Sequence, residues 1–515
     1  MHSVRSPHYE HLYPELISKN TYKTPDSYKN RAFFLCVALV ISKPPCYNKV
    51  LFILRKGGYT VNDTIVAIST PLAPAGLGVL RLSGEDAPAV ADKLFRPVDG
   101  ARKPSALSGY AAAYGHVFDD AGDFDDAVAL VFRAPHSYTG ENVVEISCHG
   151  GLYILQRAVR AAVTAGARPA EAGEFTKRAF LNGKMDLTGA DAVMDLIGAQ
   201  GELAAKTALS AREGATFRAL SAVKADLLSI AAQAAAYVDY PYEDIPELSS
   251  DALLETLTSA DKALTALMST FDAGRILREG IDTVIVGAPN VGKSTLMNRL
   301  SGFDRSIVTD EAGTTRDVVE ETVRFGDVVL RLADTAGIRK TDNRAESIGV
   351  ERARARLNSA ALVLAVFDGG APLSDDDRAL AAEAAQSPLA IAVLNKSDVG
   401  RENEAFLRTL FSEVVVLSAK TGDGIDVLSA AVARATGLAA LTGDEAVLST
   451  ERQYAAALAA RDAVRRGADA VRAGLTPDLI GADVDDAIAA IAQLTGEHVS
   501  ESVVQEVFSR FCVGK

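Results

Sequence analysis

Residues 287–294, Gly287-Ala-Pro-Asn-Val-Gly-Lys-Ser294, have the spacing Gly-x4-Gly-Lys-Ser. The apolar run Thr283-Val284-Ile285-Val286 comes just before them, and Thr295-Leu296-Met297 opens a helical pattern just after. A strand, a glycine-rich turn and a helix in that order make a phosphate-binding loop. Its backbone N–H groups close around the anion, and the helix N-terminus adds positive potential. Lys293 is expected at the β- and γ-phosphates and Ser294 on Mg²⁺. Asn290, Val291, Gly292 and Thr295 complete the nucleotide-contacting stretch. The fold that follows from this segment is an α/β P-loop domain, expected over residues 280–435.

Further elements follow in chain order. Thr309-Asp310-Glu311-Ala312-Gly313-Thr314-Thr315 forms a loop after the first helix, and Thr315 is its Mg²⁺ ligand. Asp334-Thr335-Ala336-Gly337 follows the strand-like run Val328–Leu332. Asp334 suits the outer sphere of the metal, and the Gly337 N–H suits the γ-phosphate. Asn395-Lys396-Ser397-Asp398 follows the apolar run Leu389–Leu394. The Asp398 carboxylate accepts from N1–H and the exocyclic amine of guanine. Adenine presents no such pair of donors, so the nucleotide is GTP rather than ATP. Ser418-Ala419-Lys420, after Val414–Leu417, closes over the base.

Hydrolysis is less legible. The position after Asp-x-x-Gly, where Ras-like enzymes carry a water-orienting Gln, is Ile338. Arg316 and Arg339 are nearby but read as solvated cations. Asp342 and Glu346 offer carboxylates; from the residues alone both read as surface charges.

The 515 residues allow two to four domains. A hydrophobic content of 48% supplies ample core, and a net charge of −14 argues against nonspecific coating of nucleic acid, which runs on Lys and Arg. The four cysteines, Cys36, Cys46, Cys148 and Cys512, are scattered, without metal-ligand spacing, and point to a reducing compartment. No uninterrupted apolar run approaches the ~18 residues of a membrane span, so a cytoplasmic protein without a membrane partner is expected. Residues 1–60, rich in Tyr, Lys, Ser, Pro and His, differ in texture from the Ala- and Gly-rich remainder. Their apolar run Phe33–Ile41 is like a short signal-peptide core but is followed by Lys43-Pro44-Pro45 with no small-residue cleavage site. The segment is read as a non-native or mis-assigned extension, with Val61 as a candidate start. Short apolar runs broken by Gly and Pro predict mixed strands and helices over 61–178. Helical spacing fills 179–279 and returns over 436–515. The fold class is therefore multidomain: an N-terminal α+β domain, and a helical domain interrupted by an inserted Ras-like P-loop domain.

These residues, with Asn62-Asp-Thr-Ile-Val-Ala, Ser137-Tyr-Thr-Gly-Glu, Cys148-His-Gly-Gly, Gly173-Glu-Phe-Thr-Lys-Arg-Ala-Phe-Leu-Asn and the terminal Phe511-Cys-Val-Gly-Lys515, closely resemble the MnmE (TrmE) family of tRNA-modification GTPases. The resemblance runs from Asn62 to Lys515. It implies a folate-binding N-terminal domain, a homodimer, and a heterotetramer with the FAD- and NADH-using partner MnmG (GidA). Together the two would modify carbon 5 of the wobble uridine (U34) of certain tRNAs. A one-carbon unit from 5,10-methylene-tetrahydrofolate, for which 5-formyl-tetrahydrofolate is an analogue, would yield aminomethyl or carboxymethylaminomethyl uridine. Residue by residue, it assigns Glu346 as the catalytic glutamate acting through water, and Asn290, Thr309, Glu311 (by its carbonyl) and Thr314 as K⁺ ligands. Arg81, Glu145, Lys184 and Lys515 would be folate contacts, and Cys512 a functional residue of the tail.

A Cys148–His149 dyad is unfavourable, because adjacent strand residues face opposite ways. Cys148 is expected in the core, and His149-Gly150-Gly151 in a structural or binding turn. The competing reading is a ribosome-assembly GTPase without folate chemistry. Against it stand a single P-loop sequence and a tail that is not a basic RNA module. A membrane-remodelling GTPase is disfavoured because the sequence has no basic amphipathic helix.

Overall fold

The computed structural model describes residues 63–239, 249–301, 321–332, 357 and 360–515. The chain divides into two units, Met1–Asp63 and Thr64–Lys515. The expected extension, residues 1–60, lies outside the described residues, and the architecture below is that of the second unit.

The N-terminal sheet has seven strands: β1 (Ile65–Ile68), β2 (Ala75–Ser83), β3 (Phe95–Pro97), β4 (Ala111–Asp119), β5 (Gly122–Phe132), β6 (Val143–Gly150) and β7 (Arg168–Pro169). Their order is β3-β4-β5-β6-β2-β1-β7, antiparallel throughout except for β1 with β7. Alternation along the strands sends Leu80, Leu82, Val144, Ile146 and Cys148 to a core covered by the helix Leu152–Thr164. Arg81 and Glu145, at the intervening positions, share the opposite face. The expected division at 178 falls inside the helix Glu174–Leu181, so the chain passes into the helical region without a linker there.

The helical bundle is one core built from two stretches of chain. Leu220, Leu227, Leu257 and Leu264 precede the P-loop domain, and Ala457, Val464, Val484 and Ile491 follow it, yet all pack in a single cluster. Small alanines at Ala457, Ala460 and Ala463 let neighbouring helices approach closely. Side-chain caps start two of these helices, where Ser249 accepts from Ala252 N and Thr450 from Gln453 N, and also the helix Glu501–Ser509 outside this core, where Ser500 accepts from Val503 N. Within the helix Ala215–Asp239, the stretch Ala215–Tyr237 is long and apolar enough to cross a membrane, although Arg218, Lys224 and Asp226 interrupt it. Its Leu220, Val223, Leu227 and Ile230 face the bundle core.

Between the two halves sits a six-stranded sheet of β8 (Ile281–Val286), β9 (Glu321–Phe325), β10 (Val328–Leu332), β11 (Leu362–Asp368), β12 (Ala390–Asn395) and β13 (Glu413–Val416), in the order β13-β12-β11-β8-β10-β9. Only β9 runs antiparallel to its neighbour. Val363 through Phe367 are all buried, as a parallel strand covered on both faces requires. The chain enters through the helix Phe271–Glu279 and leaves through residues 441–450. Lys206 fastens that exit, its Nζ donating to Thr442 O (2.8 Å) and to Asp444 (3.0 Å).

The last residues do not stay with the bundle. Val513 bridges to Ala172, and Phe175 N donates to Lys515 O (3.1 Å). Gly514 O also accepts from Arg81 of β2 and from Ser69 Oγ just after β1, so the C-terminus lies at the β1–β2 end of the sheet.

Candidate functional site

β8 delivers the chain to the phosphate loop at the C-terminal edge of the parallel sheet, the edge where open α/β sheets bind ligands. The helix after the loop begins at Lys293, two residues earlier than the Thr295 expected from pattern, so Lys293 and Ser294 occupy its first turn. Asn290 has φ +63°, a left-handed conformation that Asn tolerates better than most residues. Gly292, at φ +98°, has no room for a side chain: a Cβ there would come 2.2 Å from Asn395 Nδ2. Lys293 Nζ donates to Gly287 O (2.9 Å) and Ala288 O (2.7 Å), curling back over the loop that would hold phosphate. Ser294 is exposed at the helix start, where a metal on a bound phosphate would be met.

The base side is joined to this loop through Asn395. Its Nδ2 donates to Val291 O (2.8 Å), and its Oδ1 accepts from Ala419 N (2.9 Å), both buried. Lys396 has φ +63°, and its Nζ pairs with Asp368 Oδ2 (2.7 Å). Ser418 Oγ donates to Asp398 Oδ1 (2.7 Å), and that bond holds the carboxyl below the usual aspartate range, hence anionic. Asp398 itself is exposed, a carboxylate free to accept further donors. Lys420 is exposed at the end of the same loop. The structure therefore brings together Asn290 to Thr295, Asn395, Lys396, Asp398 and Ser418 to Lys420. Thr309, Asp310, Glu311, Ala312, Gly313, Thr314 and Thr315 lie outside the described residues, as do Asp334, Thr335, Ala336, Gly337 and Glu346. Of the four expected K⁺ ligands, only Asn290 is described.

A second constellation forms where the tail meets β2 and β6. Arg81 and Glu145 are register partners, and Arg81 Nε donates to Glu145 Oε1 (2.8 Å). Another Arg81 nitrogen donates to Gly514 O (3.1 Å). Lys515 Nζ and the Arg81 guanidinium both lie over the Tyr138 ring, at 6.0 and 5.7 Å from its centroid. Burial, then the nearby Arg81 and Arg212, push the Lys515 ammonium below the usual lysine range. Burial raises the Tyr138 phenol, which hydrogen-bonds the Thr176 hydroxyl at 2.9 Å. Clustered cations around one carboxylate suit a ligand with amide-type donors at one end and carboxylates at the other.

Lys184 does not join this group. Its Nζ donates to Pro135 O (3.0 Å), against the loop that carries Tyr138. Cys512 is exposed near the tail's attachment, with its carbonyl accepting from Lys515 N (3.2 Å). Tyr138 and Arg212 were not singled out from sequence. The signal for Tyr138 was present in Ser137-Tyr-Thr-Gly-Glu. For Arg212, at the end of the helix Glu202–Arg212, there was none.

Cys148 is buried, and burial and Asp125 push its thiol up to about 11. His149 faces outward and pairs with Asp125 Oδ1 at 2.6 Å. The turn expected at His149-Gly150-Gly151 is instead the end of β6, which runs to Gly150. A Cβ on Gly150 would meet Leu77 O at 2.7 Å, so the small residues there serve strand pairing with β2.

A family model of the MnmE helical domain matches residues 187–512, and one of the GTP-binding protein TrmE N-terminus matches residues 64–184. A tRNA modification GTPase MnmE from Symbiobacterium thermophilum is 41% identical over 460 residues, covering 88% of this chain and 99% of that protein. The protein of the same description from Bacillus licheniformis is 39% identical over 88% of this chain and 100% of its own length. Among solved structures, the G domain of the T. maritima FeoB iron transporter aligns with 30% of this chain and 98% of its own, at 23% identity and a TM-score of 0.23.

Proposed function

The chain belongs to the MnmE family of tRNA-modification GTPases, and from that premise we propose how its own residues divide the work. It is a GTP hydrolase acting in tRNA modification. Lys293 and the N–H groups of residues 290–295 hold the phosphates, Ser294 and Thr315 hold Mg²⁺, and Asp334 and Gly337 flank the γ-phosphate. Thr309 to Thr315 and Asp334 to Gly337 line the nucleotide. Asp398 selects guanine, with Asn395, Lys396, Ser418, Ala419 and Lys420 shaping its pocket. Asn290, Thr309, Glu311 and Thr314 hold K⁺. When bound, K⁺ would supply positive charge beside the β- and γ-phosphates where other GTPases use an arginine, and Mg²⁺ would neutralise phosphate charge as in other P-loop enzymes. Glu346, acting through water, polarises and orients the attacking water.

The second constellation takes the one-carbon donor. Glu145 pairs with pterin donors, and Arg81 and Lys515 take the carboxylates of a tetrahydrofolate; Lys184, bonded to Pro135 O, would reach the ligand only from outside this group. The observation that carries this reading is the seating of the Gly514 carbonyl on Arg81, which holds the tail beside Glu145. The protein works as a cytoplasmic homodimer, without a membrane, with an MnmG-type partner that holds FAD, on U34 of tRNA. Its domains are proposed over 61–178, over 179–279 with 436–515, and over the inserted 280–435, with the helix Glu174–Leu181 crossing the first boundary.

The test compares GTP hydrolysis in KCl and NaCl at equal ionic strength for the parent protein and Glu346→Ala, alongside binding of 5-formyl-tetrahydrofolate to the parent and Arg81→Ala. Stimulation by K⁺ that Glu346→Ala abolishes, with nucleotide binding retained, supports the cation and glutamate assignments. Equal rates in both salts overturn the K⁺ site. Folate binding unchanged in Arg81→Ala overturns the second site.

A further inference from the structure

Arg299 lies in the last turn of the helix Lys293–Ser301, at the far end from the phosphate loop. Its half-buried guanidinium turns onto the loop after β13. Nε donates to Ala419 O (3.3 Å), and a terminal nitrogen donates to Lys420 O (2.8 Å). Gly422, at φ +96°, brings its backbone against the same guanidinium: a Cβ built there would lie 3.4 Å from Arg299 Cζ. The two accepting carbonyls belong to the loop whose other groups are already committed. Ala419 N is bound by Asn395 Oδ1, and the Ser418 hydroxyl holds Asp398. One short helix thus carries Lys293 and Ser294 of the phosphate loop in its first turn and grips the base loop at its last.

We propose that Arg299 is a positioning residue for guanine, fixing the main chain of Ala419-Lys420 so that the loop stands closed against Asp398 before nucleotide arrives. The inference rests on reading Asp398 and residues 418–420 as the guanine-recognising elements. Removing the guanidinium leaves two carbonyls without their charged donor, and the loop must then be ordered by the nucleotide itself. Affinity falls for ligands that use the base and stays for ligands that use only the phosphates.

The experiment uses the full-length chain with Arg299→Met, which keeps the apolar stem and helix propensity, and Arg299→Lys, which keeps one charged donor. Binding of GDP and of inorganic pyrophosphate is measured for each. Arg299→Met is expected to weaken GDP about tenfold and leave pyrophosphate within about twofold. KM for GTP should rise while kcat at saturation stays within about twofold. Arg299→Lys should recover about half of the loss on a logarithmic scale, and it carries the test if Arg299→Met does not fold. GDP affinity unchanged in both variants overturns the proposal. So does an equal fall for GDP and pyrophosphate, which would make Arg299 a support of the helix only. Asp398→Asn separates this from its premise, because a guanine-reading carboxylate predicts a switch from GDP to xanthosine diphosphate. Failure of that switch overturns the base-pocket reading. The switch together with unaltered GDP binding in Arg299→Met overturns the role of Arg299 alone.

Discussion

Asn395 donates its side-chain amide to the carbonyl of Val291 across 2.8 Å, out of reach of water. Because its Oδ1 also accepts from Ala419 N, a single side chain ties the phosphate loop to the base loop. Asn395→Ala leaves a buried carbonyl and a buried N–H unpaired, a cost of about 2–3 kcal/mol. If it falls on the nucleotide-ready state, GDP affinity drops roughly 30- to 150-fold. Calorimetric titration with GDP checks this. An affinity within threefold of the parent would show the two loops to be independently rigid.

Gly514 is held at φ +103°, and a Cβ there would sit 2.4 Å from Ile68 O. Gly514→Ala is therefore expected to lift the tail from the end of β1 and break its bond to Arg81. Removal of Lys515 by a carboxypeptidase should accelerate at least about tenfold, because local opening governs such cleavage. Binding of 5-formyl-tetrahydrofolate should weaken with it. A tail as resistant as the parent's would mean that the strand bridge at Ala172 and Val513 holds it without Gly514.

Arg178 is 4% exposed between two carboxylates, pairing with Glu174 at 3.0 Å and Glu141 at 3.1 Å. Burial works to raise the Glu174 carboxyl, but bonds from Arg168, the backbone and Arg178 outweigh it and leave the group below its usual range. Arg178→Met removes the shared cation and should cost about 3–5 kcal/mol in urea-monitored stability. The double change Arg178→Met with Glu174→Gln should recover part of that loss, whereas a cost below ~1 kcal/mol for the single change would show the carboxylates to be hydrated.

The bond from Asp125 to the His149 ring, with its charge, raises the imidazolium above the usual histidine range. Raised in the folded state, the group contributes stability that is complete below the unfolded histidine value near 6.5 and is lost as pH climbs through the higher folded value. Imidazole NMR titration should find His149 above ordinary histidine, and Asp125→Asn should lower it. A His149 that titrates identically in both proteins would contradict the ion pair.

The phosphate loop, Asn-Lys-Ser-Asp and Ser-Ala-Lys were legible because each group on a nucleotide is met by a few consecutive residues after a strand, so chemistry imprints on local spacing. The divided bundle could be anticipated from the return of helical periodicity after residue 436. What escaped was set across long distances. No residue near Lys515 announces that its carbonyl will accept from Phe175, or that Arg81 will reach Gly514. Arg212 enters the same neighbourhood from the end of a helix whose own pattern is ordinary. The helix begins at Lys293, earlier than hydrophobic period alone predicts, because the glycine turn and not the first apolar residue starts it. His149-Gly150-Gly151 looked like a turn by composition, but close approach of β2 at Gly150 is an equally strong demand for glycine.

The bundle core has a consequence for how the chain is born. Leu257 and Leu264 leave the ribosome well before Ala457 and Val464, their packing partners. The stretch from Met268 to Glu451 takes roughly ten to forty seconds at ordinary translation rates. In that interval the inserted sheet, whose strands are all present by Val416, can close on itself. The helices made first keep an apolar flank uncovered meanwhile. This order of synthesis leaves the first half of the bundle waiting until its second half emerges.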